Sequence, residues 1–154
     1  QSFGAEVTGV CSTRNLDMVR SIGADHVIDY TQEDFTKNGQ HYDLILDAAA
    51  YRSILDYKNI LTPNGIYVFV GGSMAQLFQL MFLGPWIYMT GSKKIVSLFM
   101  EPNQKDLVFI KELLETGKIA AVIDRRYSLS KVPEAIRYLE QGHARGKVVI
   151  TLED

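Results

Sequence analysis

The stretch Glu6-Val7-Thr8-Gly9-Val10-Cys11-Ser12-Thr13-Arg14 decides how this chain is read. Val7, Thr8 and Val10 are β-branched, sit around Gly9 and follow the turn-like Phe3-Gly4-Ala5, which is the pattern of a short buried strand. Cys11 to Arg14 then supplies hydroxyls and one guanidinium but no carboxylate, and opens into a helix. At the end of the second strand of a doubly wound nucleotide-binding sheet, an acid reads the ribose 2′-hydroxyl of NAD. Arg and hydroxyl donors suit the 2′-phosphate of NADP. Taken alone, the stretch reads more readily as a strand, a Ser/Thr helix cap and a solvated Arg.

Working outward, Asn15 to Ile22 has Leu16, Val19 and Ile22 at helical spacing and stops at Gly23. His26 to Tyr30 reads as a short strand, followed by a polar stretch with Asn38-Gly39 as a turn. Tyr42 to Ala50 is a near-continuous apolar strand, the pattern of burial on both faces in a parallel sheet. A helix over Tyr51–Leu61, a turn at Pro63-Asn64-Gly65 and the strand Ile66–Val70 follow, ending in Gly71-Gly72-Ser73. The apolar helix Met74–Tyr88 is expected to kink or split near Gly84-Pro85. Next come a strand over Lys94–Met100 and a helix over Asn103–Glu115. Strand Ile123–Leu129, helix Lys131–Gln141 with Pro133 in its first turn, and strand Lys147–Leu152 complete the chain. Strands alternating with helices predict an α/β fold with a mainly parallel sheet.

The whole chain of 154 residues is one domain's worth. It is 47% hydrophobic and 22% charged with net charge −2, which leaves no electrostatic footprint for nucleic acid. Cys11 is the single cysteine, so there is no internal disulfide and no thiolate zinc cluster. His26, His41 and His143 lack metal-ligand spacing, and a reduced cytoplasmic setting is the default expectation. The apolar run Leu77–Thr90 is broken by Gln79, Gly84 and Pro85 and falls short of the roughly 20 residues of a membrane span.

With these segments laid out, the chain resembles the cofactor-binding half of the medium-chain dehydrogenase/reductase superfamily, the zinc-containing alcohol dehydrogenase-like group. It is most similar to the zinc-independent quinone and enone reductase branch. The resemblance runs through Phe3–Asn15, Ser21–Tyr30, Tyr42–Asp47, Leu61–Gly72 and Gly142–Ile150, in the family's order and over nearly the entire chain. It implies a Rossmann-like doubly wound sheet that lacks the first strand and the Gly-rich turn, since the sequence opens at what would be the end of the first helix. Residues 1–122 would form the dinucleotide-binding domain. Residues 123–154 would form a strand-helix-strand segment packing back toward a catalytic domain.

The resemblance implies an NADPH-dependent oxidoreductase that transfers hydride to a quinone or an α,β-unsaturated carbonyl. A zinc alcohol dehydrogenase cofactor domain and a non-catalytic nucleotide-binding or assembly module are the alternatives. Ser12, Thr13, Arg14 and Tyr30 occupy the family's 2′-phosphate positions, although Tyr30 also reads as an aromatic closing a strand. Asp47 falls where the adenine and ribose edge passes, or serves as a loop carboxylate. Val70 and Gly71 end a strand beside the nicotinamide, or form a plain strand-to-helix turn. Phe99 and Met100 fall where the family uses backbone groups against the carboxamide. Gly146 and Lys147 match a closing Gly-Lys that reaches toward the cofactor. Ala144 stands where related reductases often carry Asn, and Arg145 either substitutes or is surface charge. No catalytic acid or base is nominated, and no metal is expected.

Without the first strand, the Glu6–Ser12 and Tyr42–Asp47 strands would be separated with two apolar edges. The isolated chain is then expected to be marginal, self-associating or rearranged, and not catalytically competent. A homodimer through the Lys94–Met100 edge strand is the expected partnership.

Overall fold

The computed structural model describes residues 3–90, 92–98 and 101–152, without the side chains of residues 86, 88 and 90. Among the described residues seven strands mostly alternate with five α-helices, and every strand pair is parallel. The predicted α/β class with parallel pairing is therefore correct. These strands form three sheets, two of two strands and one of three, and the chain divides into two compact units.

The first unit comprises Gln1–Asp29 with Asn103–Asp154. β1 (Thr8–Cys11) pairs with β2 (His26–Asp29) from Thr8 opposite His26 to Cys11 opposite Asp29. The connection is a 3-10 turn at Thr13–Asn15 and then α1 (Leu16–Ser21), shorter than the single helix expected from Asn15. A Cβ on Gly9 would lie 2.5 Å from Val19 Cγ1, so glycine here permits the close approach of α1 to β1. Gly23, at φ +108°, ends the helix as expected. α4 (Gln104–Glu115) starts at Asn103, whose side chain accepts from Asp106 N at 2.9 Å. β6 (Ile123–Ser128) and β7 (Lys147–Thr151) pair through the crossover helix α5 (Val132–Glu140), with Pro133 in its first turn.

The second unit, Tyr30–Pro102, is built on β3 (Tyr42–Asp47), β4 (Leu61–Phe69) and β5 (Lys94–Ser97), with β4 in the middle. α2 (Ile54–Asn59) starts at Ser53, whose hydroxyl accepts from Leu55 N, and not at Tyr51. The Pro63-Asn64-Gly65 turn survives as a bulge inside β4: pairing jumps from Tyr42–Leu61 to Leu44–Ile66, and Asn64 takes φ +66°. α3 (Met74–Thr90) runs through Pro85 as one helix, so the expected split is absent. Ile54, Leu61, Tyr67 and Ile87 are fully buried and centre the core of this unit.

The strand at Tyr42–Ala50 departs from expectation. It ends at Asp47, and Leu44 and Leu46 are exposed instead of buried on both faces. β3 pairs only with β4, so one edge carries no strand among the described residues. β1 and β3 belong to different sheets among the described residues. β5 likewise pairs only with β4, while Phe99 and Met100 of the expected strand lie outside the described residues.

Candidate functional site

In the first unit the candidate residues fall on two segments. Ser12 stands in extended backbone before the 3-10 turn, and its hydroxyl accepts a long bond of 3.5 Å from Asn15 Nδ2. That oxygen accepts no backbone N–H, so Ser12 provides no side-chain cap to the turn. Asn15 Oδ1 is buried without a hydrogen-bond partner, an acceptor that a ligand hydroxyl would satisfy. The Thr13 hydroxyl donates to Asp29 Oδ2 at the end of β2, so it offers no proton to a phosphate in this arrangement. Beside them the Cys11 thiol is pushed up by burial and then by the Asp29 charge, against the pull of Arg20.

Arg14 is exposed and touches the segment before β7 at two places. Its Nη2 donates toward His143 Nδ1 at 3.5 Å, and its carbonyl accepts from Arg145 Nη2. The Arg145 backbone N–H donates to Asp124 Oδ2 at 2.9 Å, and the same oxygen takes the Tyr138 hydroxyl at 2.6 Å. These two donors, the Tyr138 hydroxyl first, hold the Asp124 carboxyl below the usual range. The Arg125 guanidinium lies 3.9 Å from the centre of the Tyr138 ring. A Cβ on Gly146 would lie 2.5 Å from Val122 O, so that position is glycine for contact within its own sheet. Lys147 is exposed and opens β7, its N–H donating to Val122 O at 2.7 Å.

In the second unit Tyr30 is half exposed, and its ring centre lies 5.4 Å from that of Tyr51. The aromatic contacts continue from Tyr51 to Phe35, Phe35 to Tyr57, and Tyr57 to Tyr67, the last pair stacked at 4.8 Å. The run ends at Asp47, whose Oδ2 accepts from the Tyr67 hydroxyl at 3.0 Å. Burial first, and the Asp47 carboxylate second, push the Tyr57 and Tyr67 hydroxyls far up. Asp47 thus anchors two buried tyrosines, while its carbonyl accepts from Val70 N at 2.9 Å and Gly71 N at 3.2 Å. A Cβ on Gly71 would meet Ala48 O at 3.0 Å, and the Gly71 carbonyl takes Ala50 N at 2.9 Å. Glycine there serves a close crossing of two chain segments.

Sequence reasoning left out Tyr51 and Arg52. The Arg52 guanidinium sits 5.4 Å over the Tyr51 ring and 3.3 Å from Asp34 Oδ1. An aromatic-cation pair directly after the Asp47-Ala48-Ala49 strand end was the available signal. Among the described residues no group of three or more His, Cys, Asp or Glu side chains could hold a metal ion. Among the described residues no helix is long and apolar enough to cross a membrane.

Comparison with known proteins places these features in context. Residues 22–150 match the family model described as zinc-binding dehydrogenase. A chloroplastic quinone oxidoreductase of Triphysaria versicolor is 33% identical over 149 residues, covering 94% of this chain and 44% of that protein. A mitochondrial NAD(P)H oxidoreductase of Danio rerio is 31% identical over 170 residues, covering 99% of this chain and again 44% of the relative. The chain therefore spans somewhat less than half the length of the curated relatives it matches. The structure of a quinone oxidoreductase from Coxiella burnetii superposes with a TM-score of 0.79 at 24% identity, over 97% of this chain and 46% of that one. That likeness establishes the fold, a Rossmann-like α/β architecture.

Proposed function

The chain belongs to the zinc-binding dehydrogenase family, and on that premise we propose that it is the cofactor-binding part of an oxidoreductase using NADPH to reduce a quinone or an α,β-unsaturated carbonyl. The observation that carries the cofactor reading is the corner after β1. Ser12 and Arg14 stand there with His143 and Arg145, and the two neighbouring carboxylates are engaged, Asp29 by Thr13 and Asp124 by Tyr138 and the Arg145 N–H. Guanidinium and hydroxyl donors of this kind match the oxygens of a phosphate dianion. Asn15 Oδ1, buried and unpaired, leaves an acceptor for a sugar hydroxyl.

In this reading Arg14 and Ser12 hold the 2′-phosphate and Gly146-Lys147 closes on the cofactor. Within the second unit, taken by itself, Tyr30, Val70 and Gly71 keep the cofactor roles that the family resemblance implies, and Asp47 fixes its strand end through Tyr67. The nicotinamide supplies the hydride; the protein supplies binding and orientation. The quinone substrate is suggested by the chloroplastic relative, a quinone oxidoreductase. A homodimer through the Lys94–Met100 edge strand belongs to the same reading, and the lack of a second strand beside β5 among the described residues supports it. The lone Cys11 suits a reduced compartment such as the cytoplasm.

An NADH reading has one observation in its favour, the Asp29 carboxylate beside Thr13. Calorimetric titration separates the two. NADPH is expected to bind at least about tenfold more tightly than NADH, and Arg14→Ala to remove that margin, as loss of a charge-assisted bond requires. Equal affinity for both cofactors, or an Arg14→Ala variant that keeps the preference, overturns the NADPH assignment.

A further inference from the structure

We propose that Arg145 is a positioning residue for Arg14: it clamps the backbone of the strand-end turn, so that recognition of the ribose 2′-phosphate depends on a side chain that does not touch it. The proposal rests on the NADPH reading of the Ser12–Arg14 corner and adds a second segment to it.

The Thr13–Asn15 turn is three residues long and its Ser12 supplies no side-chain cap, so little within the turn fixes the direction of Arg14. Arg145 supplies what the turn lacks. Its guanidinium donates through Nη2 to the Arg14 carbonyl across 131 residues of sequence. The donor is itself held from behind. The Arg145 N–H is fixed on Asp124 Oδ2, that oxygen also takes the Tyr138 hydroxyl, and Arg125 packs on the Tyr138 ring. On the other side, Gly146 is seated against the Val122 carbonyl and Lys147 N donates to it. Arg145 therefore projects from a point pinned on both sides, and a long side chain loses less freedom on binding when its base is fixed.

The same short segment reaches the other end of Arg14. His143 Nδ1 lies 3.5 Å from Arg14 Nη2 and acts as an acceptor there. One strap thus holds both the carbonyl and the guanidinium of Arg14. Two guanidinium groups at one turn repel each other, and an anion placed against Arg14 offsets that repulsion. In this proposal Arg14, at the strand end, takes the phosphate-facing role, and Arg145, with its Nη2 on the Arg14 carbonyl, takes the positioning one.

The test measures binding of 2′,5′-ADP and of ADP, two probes differing in the 2′-phosphate, to the wild type and to Arg14→Ala, Arg145→Ala, Arg145→Lys and the Arg14→Ala/Arg145→Ala double variant. Arg145→Ala is expected to cut the preference for 2′,5′-ADP by about threefold to tenfold, the loss from one side-chain hydrogen bond. Arg145→Lys, which still donates to a carbonyl, is expected to restore most of it. The double variant is expected to be no worse than Arg14→Ala alone, because Arg145 acts through Arg14. Four results would overturn the inference while leaving the NADPH reading in place. These are an unchanged preference in Arg145→Ala, equal weakening of both probes, failure of lysine to rescue, and effects that multiply in the double variant. If the wild type shows no preference, or Arg14→Ala keeps it, the NADPH reading fails and the inference with it.

Discussion

Replacing Tyr67 by Phe removes one hydroxyl from a fully buried ring and leaves its stacking on Tyr57 intact. That hydroxyl donates to Asp47 Oδ2 at 3.0 Å, and a hydrogen bond to a charged acceptor contributes about 1.5–3 kcal/mol. Asp47 is only half buried, so water takes the vacated place and the lower end applies, about 1.5 kcal/mol. For a chain of this length about 1 kcal/mol moves the melting temperature by roughly 2–4 °C, so a fall of about 3–6 °C is expected.

The alkaline limb gives the sharper readout. Burial and then the Asp47 carboxylate raise the Tyr57 and Tyr67 pKa values above the ordinary 10.0. A group whose folded pKa is raised contributes stability that is complete below its unfolded value and is lost as pH rises toward the folded one. Each such tyrosine then costs about 1.4 kcal/mol per pH unit above about pH 10, and the two together about twice that. Denaturant midpoints measured from about pH 8 to about pH 11.5 should fall steeply in the wild type and about half as steeply in Tyr67→Phe. Identical slopes would refute the reasoning. So would a tyrosinate absorbance titration in which all eight tyrosines of the folded chain ionise together near the ordinary value.

Two further perturbations act on the strap before β7. Gly146→Ala places a Cβ 2.5 Å from Val122 O and 2.9 Å from Val122 Cγ1, an overpacking expected to cost about 1–3 kcal/mol; a melting temperature unchanged within about a degree would refute it. Asp124 is held below its ordinary 3.8 by the Tyr138 hydroxyl and the Arg145 N–H. Its contribution is present above that value and lost as pH falls through the lower folded one. Asp124→Asn should therefore flatten the acid side of the stability profile below about pH 4, and an unchanged profile would count against the latch.

Much of the fold was legible because its signals are local. Gly23 after an apolar helix face and Pro133 in a first helical turn each act within a few residues. The structure uses them as read. The run Leu44-Ile45-Leu46 misled for the opposite reason. An apolar run reports what a strand could bury, while burial depends on how many strands pair with it, and β3 has one. The Pro63-Asn64-Gly65 turn was recognisable, but its placement inside a continuous strand depends on a register jump against Tyr42 and Leu44. The run from Tyr30 through Tyr51, Phe35, Tyr57 and Tyr67 follows no sequence period, because its members come from one strand, one helix and the loops between elements.

The candidate site divides along the same line. Ser12 and Arg14 announce themselves by residue type at a strand end, since a phosphate demands donors and tolerates no acid. Thr13 has the right type, yet its proton goes to Asp29, a pairing set by β1 lying beside β2 in register. Arg145 is harder still to find. Its acceptor is a backbone carbonyl, which every residue carries, so no residue type at position 14 could reveal the bond. Only the donor leaves a trace in sequence, and a lone exposed arginine looks like solvated charge. A clamp made this way tolerates change at its acceptor and not at its donor. Within this strap, substitution at Arg145 should therefore matter more for phosphate discrimination than substitution at the equally charged Lys147, which opens a strand with its side chain in solvent.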